Sequence, residues 1–306
     1  MCDVEAVQPE KPVNFDLFGQ PIVEDVLLRD KFVEPPFSVL DTRSGSWQKR
    51  RGKWMRLGIK SFLGREGVET FSNIPDSRGG VPSYTSTFDP ALCELMYTWF
   101  CPQGGSVLDP FAGGSVRGVV AQYLGYRYTG VDIRLEQVEE NQKQAIEIFG
   151  SGALPLWITG DSNTVLDELP SEFDMIFSCP PYADLEVYSD LAGDVSNMDY
   201  PNFLTAYSGI IAKSCRLLRP GGYAVFVVGE VRNKQGYYVG FVSDTVRAFE
   251  RCGVRFYNDA VLINCVGTAS LRAGKYMKSQ KLAKIHQNVL IFKKPDPTQT
   301  RKAPQV

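Results

Sequence analysis

In the stretch FSCPPYADLEVYSD, Phe177 to Asp190, an apolar run ends in Cys179-Pro180-Pro181-Tyr182. Each proline holds its own φ and restricts the residue before it, so the tetrapeptide is a stiff turn whose carbonyls keep one aim at little entropic cost. Tyr182 adds an aromatic face, on which a planar partner stacks with roughly 1–3 kcal/mol. Cys179 adds a thiol, a nucleophile wherever its pKa is lowered. Three further loops combine turn residues with polar chemistry. In GGSVLDPFAGGSVRGVVAQYLG, Val107 and Leu108 begin a buried strand that ends at Asp109-Pro110, and Ala112-Gly113-Gly114-Ser115 turns the chain into a helix from about Val116. Glycines there let a ligand reach the backbone, and the helix start offers amide donors. YRYTGVDIR is a strand ending at Asp132, and LPLWITGDSNTVLDEL holds another, ending at Gly160-Asp161-Ser162.

These loops need a scaffold that brings strand ends to one edge. From about residue 85 to 294, apolar runs of strand length alternate with amphipathic stretches, which predicts an α/β domain with a largely parallel sheet. Residues 1–84, rich in Pro, Arg, Lys and Trp, predict an irregular extension with one or two short helices, and 295–306 a disordered tail. The chain has 306 residues, 43% hydrophobic and 22% charged, with a formal net charge of -2. A nucleic-acid partner would therefore have to be met by a local basic patch. Seven cysteines without a C-x-x-C pair argue against a disulfide framework or a zinc knuckle, and predict a reducing cytoplasm and no metal. No apolar run approaches the roughly 18 residues of a membrane span.

An acidic residue at the end of the second strand is where α/β nucleotide folds hold ribose hydroxyls, which assigns Asp132, and Asp161 is placed to meet an adenine amino group. The glycine turn lacks both G-x-G-x-x-G and a following Gly-Lys-Ser/Thr, so the expected ligand is a nucleoside without a pyrophosphate. The alternative for each motif is local: glycines that only turn the chain, aspartates that only cap helices. DPFAGGS followed by CPPY resembles the S-adenosylmethionine-dependent DNA methyltransferases that modify the amino group of adenine or cytosine. The resemblance covers roughly residues 85–294. It implies a Rossmann-like methyltransferase fold with a mostly parallel sheet and a final antiparallel strand pair, formed by FYNDAVLINCVG and HQNVLIFKK. It also implies S-adenosyl-L-methionine as cofactor, with Phe88, Asp89 and Pro90 of the Thr87–Pro90 motif at its amino-acid end. Asp109, Pro110, Phe111, Ala112, Gly113, Gly114 and Ser115 would lie at the methionine part, Asp132 at the ribose, and Asp161 with Ser162 at the adenine. Cys179, Pro180, Pro181 and Tyr182 match the catalytic loop, which in the family receives a base flipped out of double-stranded DNA.

Cys179 stands where the family has Asp, Asn or Ser, whose oxygen accepts from the target amino group; a thiol is a poor acceptor. Two readings stay open. In one, Cys179 is a tolerated substitute and the Pro180 carbonyl and Ser178 provide the polar contacts. In the other it is a nucleophile for carbon-5 methylation of a pyrimidine. Arg272, Lys275, Lys278, Lys281 and Lys284, in TASLRAGKYMKSQKLAKI, form a run without an acidic residue that predicts a phosphate-gripping segment. Trp47, Gln48, Lys49, Arg50, Arg51, Lys53 and Trp54 read either as a second nucleic-acid surface or as a basic helix capping the core. His286 reads as a strand residue without catalytic partners; Asp184 and Glu186 either order the catalytic turn or cap. Fewer than about twenty residues separate Asp161 from Cys179, which leaves no room for a large recognition domain, and predicts a short or degenerate target. The expected protein is a modification enzyme without a nuclease, monomeric or homodimeric. RNA, small-molecule substrates and a catalytically weak binding module are the alternatives.

Overall fold

The computed structural model describes residues 14–15, 21–22, 28–60, 88–170, 172–182, 191, 193–266 and 269–298. The chain divides between Pro36 and Phe37. In the first unit, β1 (Asn14–Phe15) and β2 (Pro21–Ile22) pair antiparallel, and α1 (Leu28–Phe32) follows.

The second unit begins with β3 (Val39–Asp41), α2 (Gly45–Met55) and α3 (Pro90–Phe100). Strands and helices then alternate: β4 (Ser106–Asp109), α4 (Val116–Tyr123), β5 (Arg127–Asp132), α5 (Leu135–Phe149), β6 (Leu156–Thr159), α6 (Ser162–Glu168), β7 (Phe173–Ser178), α7 (Tyr200–Leu217), β8 (Leu218–Val228), α8 (Phe241–Arg251) and β9 (Arg255–Ile263). Helix α9 (Ala269–Met277) and β10 (His286–Lys293) complete it. One eight-stranded sheet runs β3-β9-β10-β8-β7-β4-β5-β6. The pairs from β6 through β8 are parallel, as helical crossovers require, and β10 runs antiparallel to both β8 and β9. This is the expected α/β class, mostly parallel and Rossmann-like with a late antiparallel pair.

The central strands are buried on both faces, so they read as continuous apolar runs: every residue of β7 is buried. Aromatic rings fill the layer between the sheet and α7 and α8, where Phe203 stacks on Tyr207 at 5.3 Å and Phe249 on Phe292 at 4.0 Å. Pro220-Gly221-Gly222, turn residues by type, bulge within β8. Phe173 pairs with Leu218 but Met175 with Tyr223, and Gly221 takes φ 78° to absorb the extra residues.

On the far side, α4 and β6 approach so closely that only glycine fits between them. A Cβ at Gly118 would lie 2.4 Å from the ring of buried Trp157. Alanine in a helix ordinarily gains about 1 kcal/mol over glycine. Here Gly118→Ala is expected to do the reverse and cost about 1–3 kcal/mol through overpacking. A urea-unfolding midpoint that rises instead would contradict this packing.

Candidate functional site

The C-terminal ends of β4, β5, β6 and β7 enclose a cleft of about 310 Å³. It opens between β7 and β4, where the strand order reverses, the place where open α/β sheets bind ligands. Phe88, Asp89, Pro110, Phe111, Gly113, Asp132, Asp161, Ser162, Cys179, Pro180, Pro181 and Tyr182 all line it. Pro90, at the start of α3, and Asp109, Ala112, Gly114 and Ser115 do not; all five are buried. Thr87, Asp184 and Glu186 lie outside the described residues.

Asp109 sits beneath the cleft floor, fully buried and surrounded by donors. Its Oδ2 accepts from Arg117 Nε at 2.5 Å and from Tyr128 Oη at 2.7 Å, and its Oδ1 accepts from Ser178 Oγ at 2.6 Å. Arg117 Nη2 donates to the carbonyls of Phe111 (2.7 Å) and Ala112 (2.8 Å), and the guanidinium lies 4.6 Å from the Phe88 ring. Phe88 in turn meets Phe177 edge to face at 5.7 Å. One buried ion pair thus ties together the Phe88 segment, the glycine turn and the strand that carries Cys179. Burial works most strongly against the Arg117 charge, but Asp109, Tyr128 and Cys179 around it, with the hydrogen bond to Asp109, together outweigh burial and raise the guanidinium pKa. The guanidinium stays charged throughout the working pH range. Ser178 Oγ is committed to Asp109 and fully buried, so the contact expected from it at the substrate amino group is not available.

The glycine turn is held from above as well. Gly113 has φ 52°, its N–H donates to Asp132 Oδ2 at 2.8 Å, and its carbonyl accepts from Asn141 Nδ2 at 2.7 Å. Asn141 Oδ1 accepts from Gln137 Nε2 at 3.0 Å, and Ser115 Oγ donates to Gln144 Oε1. Gln137, Asn141 and Gln144 form a buried polar stripe along α5. Sequence reasoning missed this stripe; its spacing of four and three residues was the available signal. Asp132 Oδ1 also accepts from Arg134 N at 3.0 Å, and each oxygen of a carboxylate can accept more than one hydrogen bond. Asp161 caps α6 through Asn163 N at 2.8 Å and also lines the cleft, so capping does not turn it away from the cleft. Ser162 Oγ donates to Pro110 O at 2.6 Å.

At the Pro-Pro-Tyr turn, Tyr182 Oη accepts from Gln287 Nε2 at 2.7 Å, and its ring meets Phe241 edge on at 6.0 Å. Half-buried Lys284 lies against Gly229 beside the Tyr182 hydroxyl; burial lowers its pKa, which Glu230 partly restores. His286 is exposed at the start of β10, its pKa lowered by desolvation and by Lys284. No cluster of potential metal ligands occurs among the described residues, and no helix there is long and apolar enough to cross a membrane.

The two remaining basic segments differ. In α2, Trp47 and Trp54 are buried, with Nε1 of Trp47 on Asp89 Oδ2 (2.9 Å) and Nε1 of Trp54 on Glu94 Oε2 (2.6 Å). Arg50 pairs with Glu94 at 2.7 Å. The helix therefore caps α3 through its tryptophans and orients the N-cap aspartate of the cleft. Lys49 and Lys53 remain exposed. In and after α9, Lys275 and Lys278 are exposed and Arg272 is half-buried. Lys281 packs its ammonium against Gly236, in a loop where Arg232 lies 3.8 Å over the Tyr238 ring and Tyr237 is exposed.

No family model matches the chain, and no curated protein matches it. Among solved structures, it is similar to TrmN from Thermus thermophilus (TM-score 0.46, 15% identity), covering 68% of this chain and 49% of that one. It is similar to the magnesium protoporphyrin IX methyltransferase ChlM from Synechocystis PCC 6803 (TM-score 0.39, 14% identity, 62% and 69% covered). It is also similar to a second Thermus thermophilus protein, TTHA0409, provisionally named a DNA modification methylase (TM-score 0.34, 21% identity, 47% and 58% covered). The chain thus spans about half the length of TrmN.

Removing one member of a buried ion pair leaves an uncompensated charge, so Arg117→Met is expected to cost about 3–5 kcal/mol in urea unfolding. The double change Asp109→Leu with Arg117→Met should cost less than Arg117→Met alone, because no buried charge is then left unpaired. Additive losses would contradict the coupling.

Proposed function

We propose that the chain is an S-adenosylmethionine-dependent methyltransferase that modifies the exocyclic amino group of adenine or cytosine in DNA, on a base flipped into the cleft. The observation that carries this reading is that one cleft joins Asp132 and Asp161 to the Pro-Pro-Tyr turn across the switch point of the sheet.

The residues present fit such a cofactor. Asp132 offers carboxylate oxygens to ribose hydroxyls, Asp161 offers them to an adenine amino group, and Phe111 and Ile133 add apolar walls. Gly193, whose Cβ would lie 3.2 Å from Asp161 Oδ2, lets backbone close over that carboxylate. When bound, the cofactor supplies an activated methyl carbon, which passes to nitrogen as the N–C bond forms, the C–S bond breaks and an N–H proton is released. The chain's own task is then positioning more than acid–base work. Pro180 and Pro181 stiffen the turn, and Tyr182, braced by Gln287 and Phe241, presents a face to the extruded base. Exposed Lys275 and Lys278, with Tyr237 and Tyr238 beside Lys281, supply charge and aromatic surface for the polynucleotide.

Incubation with methyl-labelled S-adenosylmethionine and unmethylated plasmid DNA, followed by nucleoside analysis, is expected to place label on an amino group. Cys179→Ser should retain most of that activity. Label on carbon 5, with activity abolished in the serine variant, would instead establish the nucleophile. Lys275→Glu with Lys278→Glu should weaken DNA binding and lower the slope of log K against log salt by about 2. An unchanged slope would remove α9 from the interface.

A further inference from the structure

Past the Pro-Pro-Tyr turn, the cleft is walled by the last strands of the sheet. Leu262 pairs with Gln287 across β9 and β10, and Val289 pairs with Val227 across β10 and β8. Side chains alternate along a strand, so Leu262, Asn264, Gln287 and Val227 face the same way, and all four line the cleft. Asn264 continues the ladder one residue beyond β9, its N–H donating to Ile285 O at 2.9 Å. Its half-buried carboxamide takes part in none of the hydrogen bonds among the described residues, although it faces the cleft. Gln287 is oriented: its Nε2 is spent on Tyr182 Oη at 2.7 Å, and its Oε1 has no donor among the described residues.

The geometry points to a recognition subsite, formed by the carboxamides of Gln287 and Asn264, for a nitrogen heterocycle whose edge carries an amino donor beside a ring-nitrogen acceptor. This rests on the proposed function and deepens it. Gln287 Oε1 accepts from the amino group and so supplies the acceptor that the thiol of Cys179 lacks. Asn264 Nδ2 donates to the neighbouring ring nitrogen. Adenine and cytosine both present that donor–acceptor order. Guanine and thymine present a carbonyl where the amino group would be, which leaves Gln287 Oε1 facing a second acceptor. The Tyr182 hydroxyl thus acts through Gln287, by holding the amide so that its oxygen and not its nitrogen meets the base.

The test uses the full chain and two apolar variants of similar size, Gln287→Met and Asn264→Leu, with Gln287→Glu as the conservative change that keeps acceptor oxygens. Affinity for S-adenosylmethionine is measured by calorimetry, and kcat/KM with methyl-labelled S-adenosylmethionine on unmethylated plasmid DNA and on transcribed RNA. Cofactor affinity should stay within about twofold of the parent, while kcat/KM falls about 10- to 100-fold in each apolar variant and less in Gln287→Glu. A parent that labels a polymer while both apolar variants match it overturns the subsite alone. An equal loss of cofactor affinity also overturns it, by moving these residues to the cofactor end. A parent that labels neither polymer removes the functional reading, and the subsite with it. Label on RNA in place of DNA, with the same loss in the variants, supports the subsite and corrects the polymer.

Discussion

The cleft depends on the buried pair of Asp109 and Arg117. Two opposite charges, 0% and 5% exposed, sit at the junction of three segments that are distant in sequence. Taken out of water alone, either would be prohibitively costly; together, and with Tyr128, Ser178 and two backbone carbonyls completing their hydrogen bonds, they are satisfied. Such a pair is not the most stabilising way to fill a core, since apolar side chains of equal volume often do better. What it adds is position. The guanidinium fixes where the glycine turn leaves β4, and the carboxylate fixes the last residue of β7, immediately before Cys179.

The cleft then follows from sheet topology. Strands β4, β5 and β6 are laid out in one direction and β7 in the other, so their C-terminal ends part at one place. The glycine turn, Asp132 and Asp161 occupy one side, and the Pro-Pro-Tyr turn the other. Two later additions complete the enclosure. Helix α2 fastens Asp89 through Trp47, and the antiparallel β10 brings Gln287 against Tyr182. Asp89 and Tyr182 are thereby each held by a neighbouring side chain, which is how a cleft keeps its geometry without a bound partner.

Much of this was legible in the sequence, because strand ends announce themselves: apolar runs broken by Asp-Pro, Gly-Asp or Pro-Pro mark the sheet edge, and the glycine turn marks the helix start. The missed residues share a physical reason. Arg117 in a helix looks like a solvated charge, and nothing local says that its partner lies eight residues back at a strand end. An aspartate after a buried strand gives one signal whether it faces the cleft, as Asp132 does, or the core, as Asp109 does. Ser178 reads as a polar contact, but nothing local shows that it faces Asp109 instead of a substrate, and the Gln137–Asn141–Gln144 stripe has the period of an ordinary wet face. Gln287 and Asn264 become informative only through register, which is a tertiary property. In α2 the tryptophans and cations were seen, but their alternatives separated only when Asp89 and Glu94 were found opposite the indoles.

The central claim is that these separate motifs form one cofactor site. Hydrogen exchange of the purified chain with and without S-adenosylmethionine tests it most directly. Binding should protect the backbone amides at 111–115, 132–134 and 161–163 and those of Cys179 and Tyr182 together, with the same ligand-concentration dependence. Absence of binding, or protection confined to one of these loops or to a surface away from the β4–β7 switch point, would contradict it.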